Sequence, residues 1–216
     1  MPKFSAASLV LLIALFSAGC SSMQYAAMEK VGIHKRDVLV DRVEDARDAQ
    51  NEAKEQFVSA YEQFAELVDY DGGDLEKNYE KLNREYQRSE KSAREIDDRI
   101  DAVESVAGAL FKEWNNELGE YTDPNLRRSS KQKLDATRRQ YETLIASMHD
   151  ARSKIDPVLD VLRDQTLYLK HNLNARALSS LEGEVVSMER KVDDLVREME
   201  AAIAEANRFI SQMEGA

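Results

Sequence analysis

Apolar residues recur at alternating steps of three and four along most of this chain. From Leu39 the series runs Val43, Ala46, Gln50, Ala53, Phe57, Ala60, Phe64 and Leu67, with Gln50 its one polar member. A second passes from Leu75 through Tyr79, Leu82, Tyr86, Ser89, Ala93, Ile96, Ile100, Val103, Ala107 and Leu110 to Trp114. A third is Leu134, Tyr141, Met148, Ile155, Leu162 and Leu169, with Leu144, Ala151 and Val158 between. The fourth runs Leu178, Leu181, Val185, Met188, Val192, Leu195, Met199, Ala202, Ala206, Phe209 and Met213. Such spacing puts the apolar side chains on one stripe of a helix, with a coiled-coil-like seam. Strand alternation is absent.

Three breaks interrupt the pattern. Asp71-Gly72-Gly73-Asp74 reads as a helix stop followed by an Asp N-cap. Thr122-Asp123-Pro124 reads as a helix start, with Asp as cap and Pro at the first helical position. In His171-Asn172-Leu173-Asn174, Asn tolerates a left-handed turn. Pro157 lies inside the third series, whose phase continues across it, so a kink is expected there and not an end. The prediction is all-α: helices over about 24–70, 75–119, 124–171 and 175–213, each roughly 60–70 Å long. Short connections make sequential neighbours antiparallel, giving an elongated up-down-up-down four-helix bundle. Ala46, Ala53, Ala60, Ala202 and Ala206 are expected to interlock with Tyr79, Tyr86 and Trp114. A longer, partly dimeric coiled coil is the alternative, and the oligomeric state stays open.

Composition sharpens this picture. Eight Gly and three Pro in 216 residues leave little turn material. Thirty Lys and Arg against 41 Asp and Glu give a net charge of −11. An acidic chain repels phosphate backbones, which argues against a nucleic-acid partner.

The N-terminus has its own pattern. Met1-Pro2-Lys3 precedes an apolar run over 6–17, then small residues and Cys20, the only cysteine. A basic start, a short apolar core and small residues describe a secretory signal, and the run is shorter than a membrane span needs. Ser17-Ala18-Gly19-Cys20 resembles a bacterial lipobox. The resemblance implies removal of residues 1–19, acylation of Cys20 and a mature helical domain over 20–216. Ser21 rather than Asp follows the cysteine, which resembles the pattern for outer-membrane delivery, with the chain facing the periplasm. Two or more acyl chains anchor stably.

Chemistry-bearing motifs are scarce. His34, His149 and His171 form neither a Glu-x-x-His pair nor a His-Glu-x-x-His motif, so no metal site is expected. Carboxylate neighbours such as Asp97-Asp98 and Asp193-Asp194 suit a solvated helix face. Gly72-Gly73 lacks the Gly-Lys-Ser/Thr of a phosphate loop, and Ser129-Ser130 and Ser179-Ser180 have no His/Asp pattern around them. These features point away from an enzyme and call for no cofactor. Tyr79, Tyr86 and Tyr141 carry hydroxyls that need partners if fully buried, and two arrangements are open to them: lining a ligand cavity, or the commoner seam packing with their tips at the rim.

With four antiparallel helices hung from a lipid, the 119–124 turn and the C-terminus fall near the membrane. Lys35, Arg36, Arg127, Arg128, Lys131 and Lys133 then form a basic collar, each charge contributing on the order of 1 kcal/mol near anionic headgroups. The opposite tip gathers Asp71, Asp74, His171 and Arg176, a candidate surface for a protein partner.

Four stretches carry a family resemblance: HKRDVLVDRVEDARDAQ from His34, LFKEWNNELGEY from Leu110, NLRRSS from Asn125 and LYLKHNLNARALSSL from Leu167. They resemble an uncharacterised family of bacterial lipoproteins known only as a domain of unknown function. The resemblance implies a helical envelope protein and supplies no activity or catalytic residue. The expected function is a membrane-tethered helical spacer or protein-interaction adaptor. The alternative is a binding module that holds an apolar or lipid-like ligand within the bundle.

Overall fold

The three-four rhythm becomes helix at every position read except Leu181, which lies in a turn, and the breaks differ in detail. A computed structural model describes residues 34–69 and 75–215 of the chain. Within them lie α1 (Lys35–Val68), α2 (Leu75–Glu117), α3 (Pro124–Ser153), α4 (Ile155–His171), α5 (Ala175–Ser179) and α6 (Glu182–Glu214). No strand occurs among the described residues. The acylation candidate Cys20, the leader, and the tip residues Asp71 and Asp74 lie outside them.

The described part of the first rod begins at Lys35, and its expected start near residue 24 lies outside the described residues. His34 has an extended backbone (ψ 146°), and the ladder starts where its carbonyl accepts from Asp37 and Val38. At the second start the expected cap is present: Asp123 accepts from the Asn125 N–H at 2.7 Å, with Pro124 opening α3.

The third rod is two helices. Pro157 has no N–H to give the Ser153 carbonyl, and its ring crowds that same group. The ladder therefore breaks at Lys154, three residues before the proline. Ala151, Ile155, Val158 and Leu162 remain buried in phase across the break. The expected left-handed Asn is also corrected. Asn172 has φ −133°, and the turn is made instead by Asn174, whose side chain caps α5 by accepting from the Ala177 N–H at 3.0 Å. The fourth rod breaks as well, after Ser179. The Ser180 hydroxyl donates to the Ala177 carbonyl at 2.6 Å, a side-chain bond that competes with the helical ladder.

Polar rungs set the helix directions. Between α1 and α2 they are Lys35–Glu113 at 2.6 Å, Asp45–Arg99 at 3.4 Å and Gln56–Glu85 at 2.7 Å. Between α1 and α6, Arg47 reaches Asn207 and Lys54 reaches Glu200. Between α2 and α3 they are Trp114–Ser130, Glu104–His149 and Asp97–Arg152. In each pair one number rises as the other falls, so each pair is antiparallel.

The core is one continuous apolar cluster. All nine members of the first series are buried. The alanines share that core with Phe57, Phe64, Phe209 and aliphatic side chains. Tyr79, Tyr86 and Trp114, expected to fill it, are only partly buried, because their polar ends seek partners at the rim. The Tyr86 hydroxyl, for example, donates to Glu90 at 2.8 Å.

Candidate functional site: an open cleft at one end of the bundle

The packing loosens at the end where α1 begins and α2 finishes. Between Pro124 and Lys133, Leu126 is the only large apolar residue, and it is 57 % exposed. Leu134 is the first side chain of α3 to be buried. With no apolar stripe to draw it in, this opening stretch of α3 stands off from its neighbours. A cleft of about 980 Å³ lies between them. Leu110 and Trp114 of α2 and Met213 of α6 contribute apolar surface, with Tyr121 and Leu126 at the α3 side. The Trp114 indole N–H donates across the cleft to the Ser130 hydroxyl at 2.8 Å.

Farther along, α3 is clasped to α2. Phe111 and Tyr141 meet edge to face at 5.4 Å, and the Arg138 guanidinium lies 5.3 Å from the centre of the Phe111 ring. Burial, assisted by the nearby Glu104 carboxylate, pushes the Tyr141 hydroxyl up to about 12. Two residues before the break, Arg152 grips Asp97 through two nitrogens at 2.6 and 3.0 Å, and Asp156 at 2.8 Å. The hydrogen bond to Asp97 is the main reason its guanidinium holds its proton more tightly than usual.

The six collar residues separate into distinct roles. Lys35, Arg36 and Lys133 line the cleft, where Lys35 is paired with Glu113. Lys131 is held by Asp135 at 2.8 Å, which keeps that carboxyl below its usual range. Arg127 and Arg128 lie on the exposed opening turns of α3. Of the expected tip residues, His171 ends α4 and Arg176 lies in α5, both exposed. His34, His149 and His171 are on different elements, and His149 pairs with Glu104 at 2.8 Å. Among the described residues no group of three or more His, Cys, Asp or Glu is placed to hold a metal ion. No described helix is long and apolar enough to cross a membrane.

Sequence reasoning missed the apolar side of this end: Leu110, Trp114, Tyr121, Leu126 and Met213 as cleft lining. The available signal was negative, namely the absence of a seam over 124–133. It also missed exposed Leu167, Tyr168 and Val186 at the opposite end, which sit out of phase beside the seam residues Leu169 and Val185.

No curated protein and no solved structure shows a significant match to the chain. One family model does match, over residues 24–213 and therefore through every helix described above, and it places the chain in the family described as protein of unknown function (DUF2959), to which it belongs.

Proposed function

We propose that this protein is a non-enzymatic, lipid-tethered spacer or adaptor of the bacterial envelope, anchored through Cys20 to the outer membrane on its periplasmic side. The observation that carries the reading is the distribution of exposed apolar side chains. Among the described residues the large ones are Tyr121, Leu126, Leu167, Tyr168 and Val186. Tyr121 and Leu126 belong to the cleft end; Leu167, Tyr168 and Val186 belong to the other. The shaft between them shows charge outward and keeps its seam buried. A charged shaft with an adhesive patch at either end suits a part that holds two things apart. The alternative, a ligand held within the bundle, calls for space along the seam, where Phe57, Phe64, Met148, Leu195 and Met199 are packed to zero exposure.

In-cell photocrosslinking tests the adaptor, and palmitate labelling of wild type and Cys20→Ala tests the tether. A photoreactive residue at Leu167 or Val186 should capture one discrete protein. The same residue at Glu198 on the shaft should not. Equal capture at all three positions, or capture at none, would rule the adaptor out.

A further inference from the structure

We propose that the cleft between the opening turns of α3 and the ends of α1, α2 and α6 is a binding site for one anionic phospholipid, its headgroup on Arg36 and Lys133 and its hydrocarbon against Leu110, Trp114 and Leu126. The charge around the cleft supports an anion. Residues 124–140 carry six cations and one acid, Asp135, in a chain whose net charge is −11. Asp135 is already neutralised by Lys131. Arg127, Arg128 and Lys133 make no ion pair among the described residues, and neither does Arg36, which lines the cleft together with Lys133. Three carboxylates also line the space. Glu113 is engaged by Lys35, Glu117 has a partner of its own, and Asp37 stands in the first turn of α1, where the helix dipole favours its charge. The unpaired balance therefore favours a negative headgroup.

The shape and position argue for lipid over a small anion. A volume of about 980 Å³ is at the upper end of ligand-sized sites, larger than a phosphate can fill. Its apolar surface includes a leucine more than half exposed, and aromatic groups with one polar edge, such as Trp114 and Tyr121, suit a membrane interface. The chain enters this end at His34, itself part of the lining. The 14 residues from Cys20 to Ile33 reach at most about 50 Å when extended, so a tether at Cys20 holds the cleft within reach of the bilayer. The bilayer as lipid source rests on the tethered reading. Binding of a free lipid does not require acylation, so the two stand or fall separately.

Trp114 is the chain's only tryptophan, which makes its emission a direct report from the cleft. Full-length protein is titrated with dihexanoyl phosphatidylglycerol below its micelle concentration, then with the matched phosphatidylcholine, and with inorganic phosphate. Phosphatidylglycerol should shift the emission to the blue and saturate, at least about fivefold more tightly than phosphatidylcholine. Phosphate should neither shift the emission nor compete. Lys133→Glu and Arg36→Glu should each weaken phosphatidylglycerol on the order of tenfold and leave phosphatidylcholine unchanged. Leu126→Asp should weaken both lipids. Equal binding of the two lipids, competition by phosphate, no shift at all, or a shift that follows protein concentration without lipid would each overturn the proposal; the last would make the occupant a second copy of the chain.

Discussion

Helices α1 and α3 are close in length and opposite in commitment. The first buries eleven of its 34 residues, the second four of its 30. Helix α1 packs on both α2 and α6, and its alanines let those neighbours approach closely. Helix α3 carries a seven-residue repeat at Leu134, Tyr141 and Met148, with Leu144 and Ala151 buried and Ile145 partly buried beside it. Before Leu134 it has nothing to bury. One helix is therefore part of the shaft along its whole length, while the other joins the shaft only after three turns. The free turns carry Lys133 and the exposed leucine, so the absence of packing itself opens the candidate site.

The strongest way to break this contrast is to remove a large side chain from each helix. Phe57→Ala empties a fully buried position and should destabilise the fold by about 3–5 kcal/mol. Leu126→Ala, at a 57 % exposed position, should stay within about 0.5 kcal/mol of wild type. Urea unfolding followed by circular dichroism measures both. Similar losses at the two sites would mean that the opening of α3 is packed in solution.

The next test concerns what holds α3 once it joins. Arg152 links α2 to the junction of α3 and α4 through three charged hydrogen bonds, and its partners are half to two-thirds exposed. Solvent screening reduces their worth, so Arg152→Met should lose about 1–2 kcal/mol by the same measurement. A loss as large as that of Phe57→Ala would make the clasp, and not the seam, the main attachment of α3.

Gln50 sharpens the comparison from the other side. It is the one polar member of the α1 series, is 1 % exposed, and its amide has no hydrogen-bond partner among the described residues. A buried unpaired amide costs stability. Gln50→Met keeps the length, removes the polar group, and should raise stability by about 1 kcal/mol. A decrease would show that the amide is paired in solution.

These elements also show how far the linear pattern reaches. A stripe that continues without interruption, as in α1, states both that a helix forms and which face is buried. Helix existence was therefore legible almost throughout, as were the Asp123-Pro124 start and the buried phase across Pro157. The Lys154 break was not, because the proline acts through a carbonyl four residues upstream. Nor was the Ser180 break, which depends on a hydroxyl choosing a local carbonyl. The cleft was legible in part. Lys133 stands out in the basic run over 125–133, but whether a sparse stripe leaves a helix open or lets it lie flat depends on neighbours brought there by the fold.

The smallest expected effect lies where α3 passes from open to packed. Tyr141 is half-buried beside Phe111 and Glu104, and both burial and that carboxylate oppose its ionisation. Its hydroxyl titrates near 10 when unfolded and about 12 when folded. The folded state thus holds this proton more tightly, and stability from the neutral form is complete below pH 10 and is lost as the pH climbs toward 12. Thermal unfolding of wild type should weaken over that window, more steeply than in Tyr141→Phe, which keeps the ring contact and removes the proton. Below pH 9 the two proteins should melt within a degree or two of each other. Leu126→Ala, on the exposed opening of α3, should leave the alkaline slope unchanged, because neither side chain ionises in this range. If Tyr141→Phe shows the same alkaline slope as wild type, the ring is as open to water as the turns before it, and the boundary between free and packed α3 moves toward Leu144.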